Sequence, residues 1–194
     1  LSGHTIEQYK AELEQIVSAP LVELAAKDST QTLAGLVVAT RTMKSKRGQD
    51  NAFVTLDDRS ARVEVGLFGE AYTQFKDKLI KDTVMVIQGD VSFDEYSDGI
   101  RAQAETVLTL EEARQHFSRH LLLELNGMDY DTERLEKLQA LFAHLPRGRC
   151  RIKVQYSGTG AKAAINLEQT LLPSDEVLTQ LAEQIGADQV KLIY

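Results

Sequence analysis

The chain is poor in cysteine, proline and tryptophan: one Cys, three Pro and no Trp. A single thiol, Cys150, excludes an internal disulfide and any zinc site built from several cysteines of one chain. Arg149 and Arg151 flank it and alternation follows, so it reads as an inert buried thiol on a strand. Such cysteine usage fits a cytoplasmic location. No run approaches the ~20 apolar residues of a membrane helix. The opening Leu1-Ser2-Gly3-His4 has neither the basic nor the apolar region of a signal peptide. It also lacks a methionine, so a piece of a longer protein is expected. No GxxxxGK[ST] phosphate loop and no nucleophile elbow occurs; Gly158-Thr159-Gly160 reads as a hairpin turn.

Cations are in deficit as well, with 22 Lys and Arg against 29 Asp and Glu for a net charge of −7. That balance opposes a broadly basic, sequence-blind DNA binder. The deficit is not uniform, however. No acid lies between Asp28 and Asp50, and Arg41, Lys44, Lys46 and Arg47 fall inside that interval. A local cationic patch on an acidic chain can still seat an anion.

What is present is a change of period along the chain. Residues 5–17 carry Ile6, Tyr9, Leu13, Ile16 and Val17 at helical spacing, with Thr5 and Gln8 as a capping box, and Pro20 closes the run. The polar stretch Lys27 to Thr32 reads as a linker, so 1–32 is expected to be a helical segment and linker. From Leu33 the pattern is short strands: Leu33–Met43, Ala52–Leu56, Arg62–Phe68, Thr83–Phe93 and Ile100–Leu110, with a helix over Gly69–Ile80. Five strands with a helix between the third and fourth is the order of an OB-fold barrel, predicted over 33–110. A connecting helix is expected over 111–120. Strand, helix, strand, strand, helix and strand follow over 121–194, a βαββαβ unit of ferredoxin-like order. The fold class is thus mostly β plus α+β, an OB barrel followed by a small α+β domain.

OB barrels bind oligonucleotides on the face of the second and third strands, flanked by the loops after the first and fourth. The first of those loops holds Lys44, Lys46, Arg47 and Gly48, with Arg41 before it. Strand two adds Phe53 beside Thr55, and strand three adds Arg62 and Phe68. Cations track phosphates while a ring offers a stacking platform worth roughly 1–3 kcal/mol per base. The other loop, with Asp94, Glu95 and Asp98, repels phosphate. The alternative for the first loop is a solvated turn, and for Phe53 a core position. Catalytic and metal constellations are thin. Glu112, His116 and His120 recur every four residues, which an exposed amphipathic connector explains better than a chelate does. Asp57-Asp58 sits at a hairpin turn, where aspartate is favoured for its local hydrogen bonds. Metal-assisted phosphoryl chemistry needs carboxylates gathered in a cleft, and no third partner is evident. No catalytic residue, metal or cofactor is expected.

The stretches "AGLVVATRTMKSKRGQDNAFVTLDDRSARVEVGLF" and "VIQGDVSFDEYSDGIRAQAETVLTLEEAR" resemble the OB domain of the alpha subunit of bacterial DNA polymerase III. The opening "LSGHTIEQYKAELEQI" is similar to the segment before that domain, and "PSDEVLTQLAEQIGADQVKLIY" to the extreme C-terminal domain of the family. The resemblance implies a non-catalytic part of a DNA-polymerising subunit whose catalytic carboxylates lie far upstream. It implies that the OB domain contacts single-stranded template DNA, with Lys44, Lys46, Arg47 and Gly48 in the binding loop. It further implies that the last domain docks the tau subunit of the clamp loader. Two other classes stay open: a tRNA-binding OB module of an aminoacyl-tRNA synthetase, which the absence of synthetase signatures opposes, and a purely protein-docking fragment. The final hexapeptide, with Gln189, Leu192 and Tyr194, resembles a sliding-clamp-binding peptide of the Gln-x-x-Leu-x-Phe kind. Alternation of Val190, Leu192 and Tyr194 equally predicts the closing strand, which is the favoured reading.

Overall fold

An 18-residue strand, β1 (Lys27–Lys44), is the spine of the first of two units, Leu1–Leu110 and Glu111–Tyr194. The computed structural model describes residues 6–45, 48–94, 99–127, 132–158 and 160–194. β1 pairs antiparallel with β2 (Asp50–Asp57) through Leu36–Lys44 and with β4 (Val84–Asp94) through Lys27–Leu36. The register slips between Val37 and Ala39; the extra residue bends the strand where it passes from one partner to the other. β2 pairs with β3 (Arg62–Leu67), β3 runs parallel to β5 (Gly99–Thr109), and β5 returns antiparallel to β4. The five strands close in the order β1-β2-β3-β5-β4. Period-2 alternation builds the core: Ala52, Val54 and Leu56 of β2 are fully buried against Val65, Leu67, Met85 and Ile87.

The segment before β1 departs from the expected helix and linker. A 3-10 turn (Ile6–Tyr9) runs into one helical turn, α1 (Lys10–Leu13), and the helix stops there instead of reaching residue 17. Beyond it, Ser18 binds β1: its N–H donates to the Thr32 carbonyl and its Oγ accepts from the Thr32 N–H, both at 2.9 Å. Residues 27–32, polar as they are, form the first third of β1 rather than a linker. Leu21 and Leu24 are buried in the barrel core, so this stretch before β1 does not stand apart from it. The second helix, α2 (Gly69–Phe75), ends in a 3-10 turn over Lys76–Lys78 and buries Phe75 in the same core.

The second unit begins within α3 (Leu110–Phe117) and continues through β6 (His120–Asn126), α4 (Thr132–His144), β7 (Cys150–Gly158), β8 (Ala161–Leu171), α5 (Asp175–Ile185) and β9 (Val190–Ile193). Ser174 Oγ caps α5 by accepting from the Val177 N–H, and Gly186, at φ +103°, ends the helix. The βαββαβ order matches the expectation, but the ferredoxin-like neighbour relations do not. That arrangement splits its βαβ unit by placing another strand between the two parallel ones. Here β6 and β7 are direct parallel neighbours, and the sheet order is β8-β7-β6-β9. The physical reason is the β7–β8 hairpin: it folds β8 onto the outer side of β7, because the inner side already pairs with β6.

Helix α3 is also more than an exposed connector. Ala113 and Arg114 are buried, and Arg114 Nη1 donates to the Pro173 carbonyl at 3.1 Å and to Asp175 Oδ1 at 2.8 Å. His120 lies at the start of β6, so Glu112, His116 and His120 do not share one helical face. Cys150 is buried, and burial pushes its thiol pKa up despite the Ser118 Oγ contact at 3.5 Å.

Candidate nucleic-acid interface

The alternation that turns Ala52, Val54 and Leu56 inward leaves Phe53 and Thr55 on the outer face of β2. Strand register continues an outer row across the sheet: Arg41 stands opposite Phe53, Phe53 opposite Gly66, and Gly66 opposite Gln103 of β5. Phe68, just past β3, turns its ring back over Gly66. A Cβ on Gly66 would come within 2.5 Å of two atoms of that ring, so only glycine leaves the space it occupies. Phe53 and Phe68 therefore meet edge to face, with ring centroids 5.6 Å apart at 81°. That geometry suits the aromatic quadrupole.

A guanidinium caps each ring. Arg41 Cζ lies 4.7 Å from the Phe53 centroid, and Arg101 Cζ lies 5.7 Å from the Phe68 centroid. Arg41 also donates from Nη2 to both Glu64 oxygens, each at 3.2 Å, in a pair whose side chains are 59% and 49% exposed. Met43, on the same face as Arg41 by alternation, is exposed. The result is a solvent-facing strip of two rings and two cations on a rigid sheet. Aromatic rings with flanking positive charge can stack bases and hold phosphates at once.

The structure brings together only part of the expected set. Arg41 and Phe53 meet, joined by Phe68. Lys44 is exposed opposite Asp50, and alternation puts it on the other face of the β1–β2 hairpin from Arg41. Lys46 and Arg47 lie outside the described residues. Gly48, at φ +77°, lets the loop close: its N–H donates to the Ser45 carbonyl at 2.9 Å, and the Ser45 N–H donates to the Gln49 carbonyl at 2.7 Å. Arg62 shares the outer face but sits at the far end of β3, where its Nε donates to Asp57 Oδ2 at 2.7 Å. Sequence reasoning missed Arg101, Gln103, Glu64 and Gly66. The signal for the first two was available, since an OB barrel sets its fifth strand beside the third.

Asp57 and Asp58 are committed to structure. The Arg62 side chain and the Arg59 N–H hold the Asp57 carboxyl below its ordinary pKa. Burial works to raise Asp58, but hydrogen bonds from Ser60, Leu21 and Ala61 outweigh it and the net shift is downward. Asp58 Oδ2 takes the Leu21 N–H at 2.8 Å, while Oδ1 takes the Ser60 N–H and Oγ and the Ala61 N–H. Among the described residues no three His, Cys, Asp or Glu side chains gather as a metal site. At the other end of the chain, Val190–Ile193 of the hexapeptide is strand β9, paired antiparallel with Leu123–His120, and Leu192 packs against the second core. Gln189 ends the preceding 3-10 turn, and Tyr194 is half-buried. A clamp ligand in extended form would need those strand bonds broken.

Residues 31–111 match the family model described as an OB-fold nucleic acid binding domain. The chain thus contains a nucleic-acid-binding domain of the OB class. The whole chain aligns with proteins named DNA polymerase III subunit alpha: 39% identical over 196 residues in Pseudomonas aeruginosa, 37% in Haemophilus influenzae and 36% in Escherichia coli K12. It spans 17% of the length of these relatives. Among solved structures, the SSB domain of a Synechococcus protein superposes with a TM-score of 0.37 at 16% identity over 43% of this chain and 98% of that one, too slight a likeness to decide a ligand.

Proposed function

We propose that this chain is a non-catalytic part of a replicative DNA polymerase that seats single-stranded template on the outer face of β2, β3 and β5. The ring pair Phe53–Phe68, capped by Arg41 and Arg101, carries the reading. Two adjacent rings suit unstacked bases, which single strands present and duplexes do not. Lys44, Lys46, Arg47 and Gly48 extend this surface in the role that the family resemblance gives the first loop. Asp57 and Asp58, an adjacent carboxylate pair of the barrel, are spent on turn hydrogen bonds, which supports placing polymerisation chemistry outside this stretch. The test is a labelled oligothymidylate titrated against the wild type and a Phe53→Ala, Phe68→Ala variant. Loss of stacking on both rings is expected to weaken binding by at least ~10-fold. Equal affinity of the two proteins would refute the assignment of this face.

The second unit is proposed as the docking half, held by the tau subunit of the clamp loader. What supports it is the family resemblance over 121–194, together with an α+β unit whose described residues gather no catalytic or metal cluster. The clamp is at most a secondary partner, because Leu192 is engaged by the sheet and core. In a pull-down, removing 111–194 should abolish capture of tau and leave oligonucleotide binding in place. Capture that persists would move the docking role to the barrel.

A further inference from the structure

The two arginines of the aromatic strip are not equivalent. Arg101 lies over Phe68 with no carboxylate partner among the described residues. Arg41 lies over Phe53 and gives both available contacts of its Nη2 to Glu64, from the neighbouring strand but one. The carboxylate offers Arg41 two oxygens, as a phosphate would, but a single nitrogen serves both at 3.2 Å, short of the two-nitrogen fork that guanidinium groups favour. A strand of nucleic acid laid across Phe53 brings its phosphates to this same guanidinium. Glu64 and a phosphate then compete for one cation, and if both stayed they would repel each other.

Resting on the function proposed above, we propose that Glu64 is an internal competitor for nucleic-acid phosphate at Arg41. It holds the guanidinium in the free chain and is displaced when a single strand is seated, so it limits affinity and hastens release. Half-exposure of both partners makes the exchange possible without unfolding, since neither group is locked in the core. A template-holding face on a polymerase that advances along DNA must let go as readily as it binds; a built-in counter-ion supplies that property without removing the rings.

The competition has a salt signature. In the wild type, phosphate binding to Arg41 releases counter-ions from the nucleic acid but also breaks the Arg41–Glu64 pair, which salt itself weakens by screening, so the two effects of salt partly offset. Without the carboxylate, the same contact releases counter-ions outright, worth a slope of about 0.7 in log affinity against log salt for a single strand.

The experiment uses the 194-residue chain and a labelled oligothymidylate of about 16 nucleotides. Variants are Glu64→Gln, Arg41→Ala and the double substitution, with circular dichroism to show that each remains folded. Glu64→Gln is expected to tighten binding roughly two- to five-fold, the scale of an exposed ion pair, and to steepen the salt slope by a fraction of the ~0.7 that one phosphate contact contributes. Both gains should vanish in the Arg41→Ala background. Weaker or unchanged binding by Glu64→Gln, in a protein whose binding does depend on Phe53 and Phe68, overturns the competitor role and makes Glu64 a positioning group for Arg41. An equal gain in the Arg41→Ala background also overturns it, because the effect would then be simple loss of negative charge. A wild type whose binding ignores the ring pair removes the proposed function itself, and this inference with it.

Discussion

The two units use arginine in opposite ways. In the barrel, Arg41 stands on the outer sheet face, 59% exposed, with its cation over a ring and its carboxylate partner equally wet. In the second unit, the Arg114 side chain is 3% exposed and ties α3 to the start of α5 through Asp175 and the Pro173 carbonyl. One cation is available to a ligand; the other is consumed by the fold. The difference follows from burial. An exposed pair contributes between nothing and about 1 kcal/mol, so evolution can exchange its partner freely. A buried guanidinium must keep every partner, because leaving a charged or polar group unsatisfied there costs far more.

The sharpest way to break that comparison is to substitute both arginines and read each unit separately by amide hydrogen exchange. Arg114→Ala is expected to lower the stability of the second unit by about 2–4 kcal/mol, since the Pro173 carbonyl loses a donor and a buried space opens. Barrel amides and oligonucleotide affinity should not move. Arg41→Ala should do the reverse, costing the barrel under about 0.5 kcal/mol while weakening binding. If Arg114→Ala left the second unit intact, burial would not be what separates the two residues.

Much of this contrast was legible beforehand in the barrel and little of it in the second unit. Strand β2 announces itself because Ala52, Val54 and Leu56 alternate with Phe53 and Thr55, and one face is all core. Its outer residues are then known by parity. The first third of β1 was invisible for the opposite reason: Lys27-Asp28-Ser29-Thr30 is exposed throughout, and only backbone pairing with β4 makes it strand. The helix expected over 5–17 ends at Leu13, because apolar spacing alone cannot foresee that Ser18 is held by Thr32. In the second unit, βαββαβ order is common to split and unsplit sheets, so no local pattern could place β8 outside β7. Arg114 looked like one more charge on a polar helix, since its partners lie ~60 residues away in the chain. Glu64 was passed over because the pair it forms spans two strands whose register the sequence does not state.

A smaller effect sharpens the comparison from the barrel side, where a partly buried charged group, Asp58, is tied into the fold as Arg114 is. Asp58 accepts from Leu21, Ser60 and Ala61 and so fastens the segment before β1 to the β2–β3 turn. Its carboxyl is held below the ordinary pKa, the net of a burial effect that raises it and stronger hydrogen bonds that lower it. A group depressed in the folded state stabilises the fold at pH values above its unfolded pKa, and that contribution fades as pH falls through the folded one. Asp58→Ala is therefore expected to cost the barrel about 1–2 kcal/mol at pH 7, with faster exchange at the Leu21 amide. As the solution is acidified through the ordinary carboxylate range the unfolded chain takes up a proton at Asp58 before the folded one does, so the gap between the two proteins should narrow. Denaturant unfolding of both proteins at pH 7 and pH 3, followed at barrel amides, reads the gap directly. A gap that stays constant over this range would mean that Asp58 acts through shape and not through its charge.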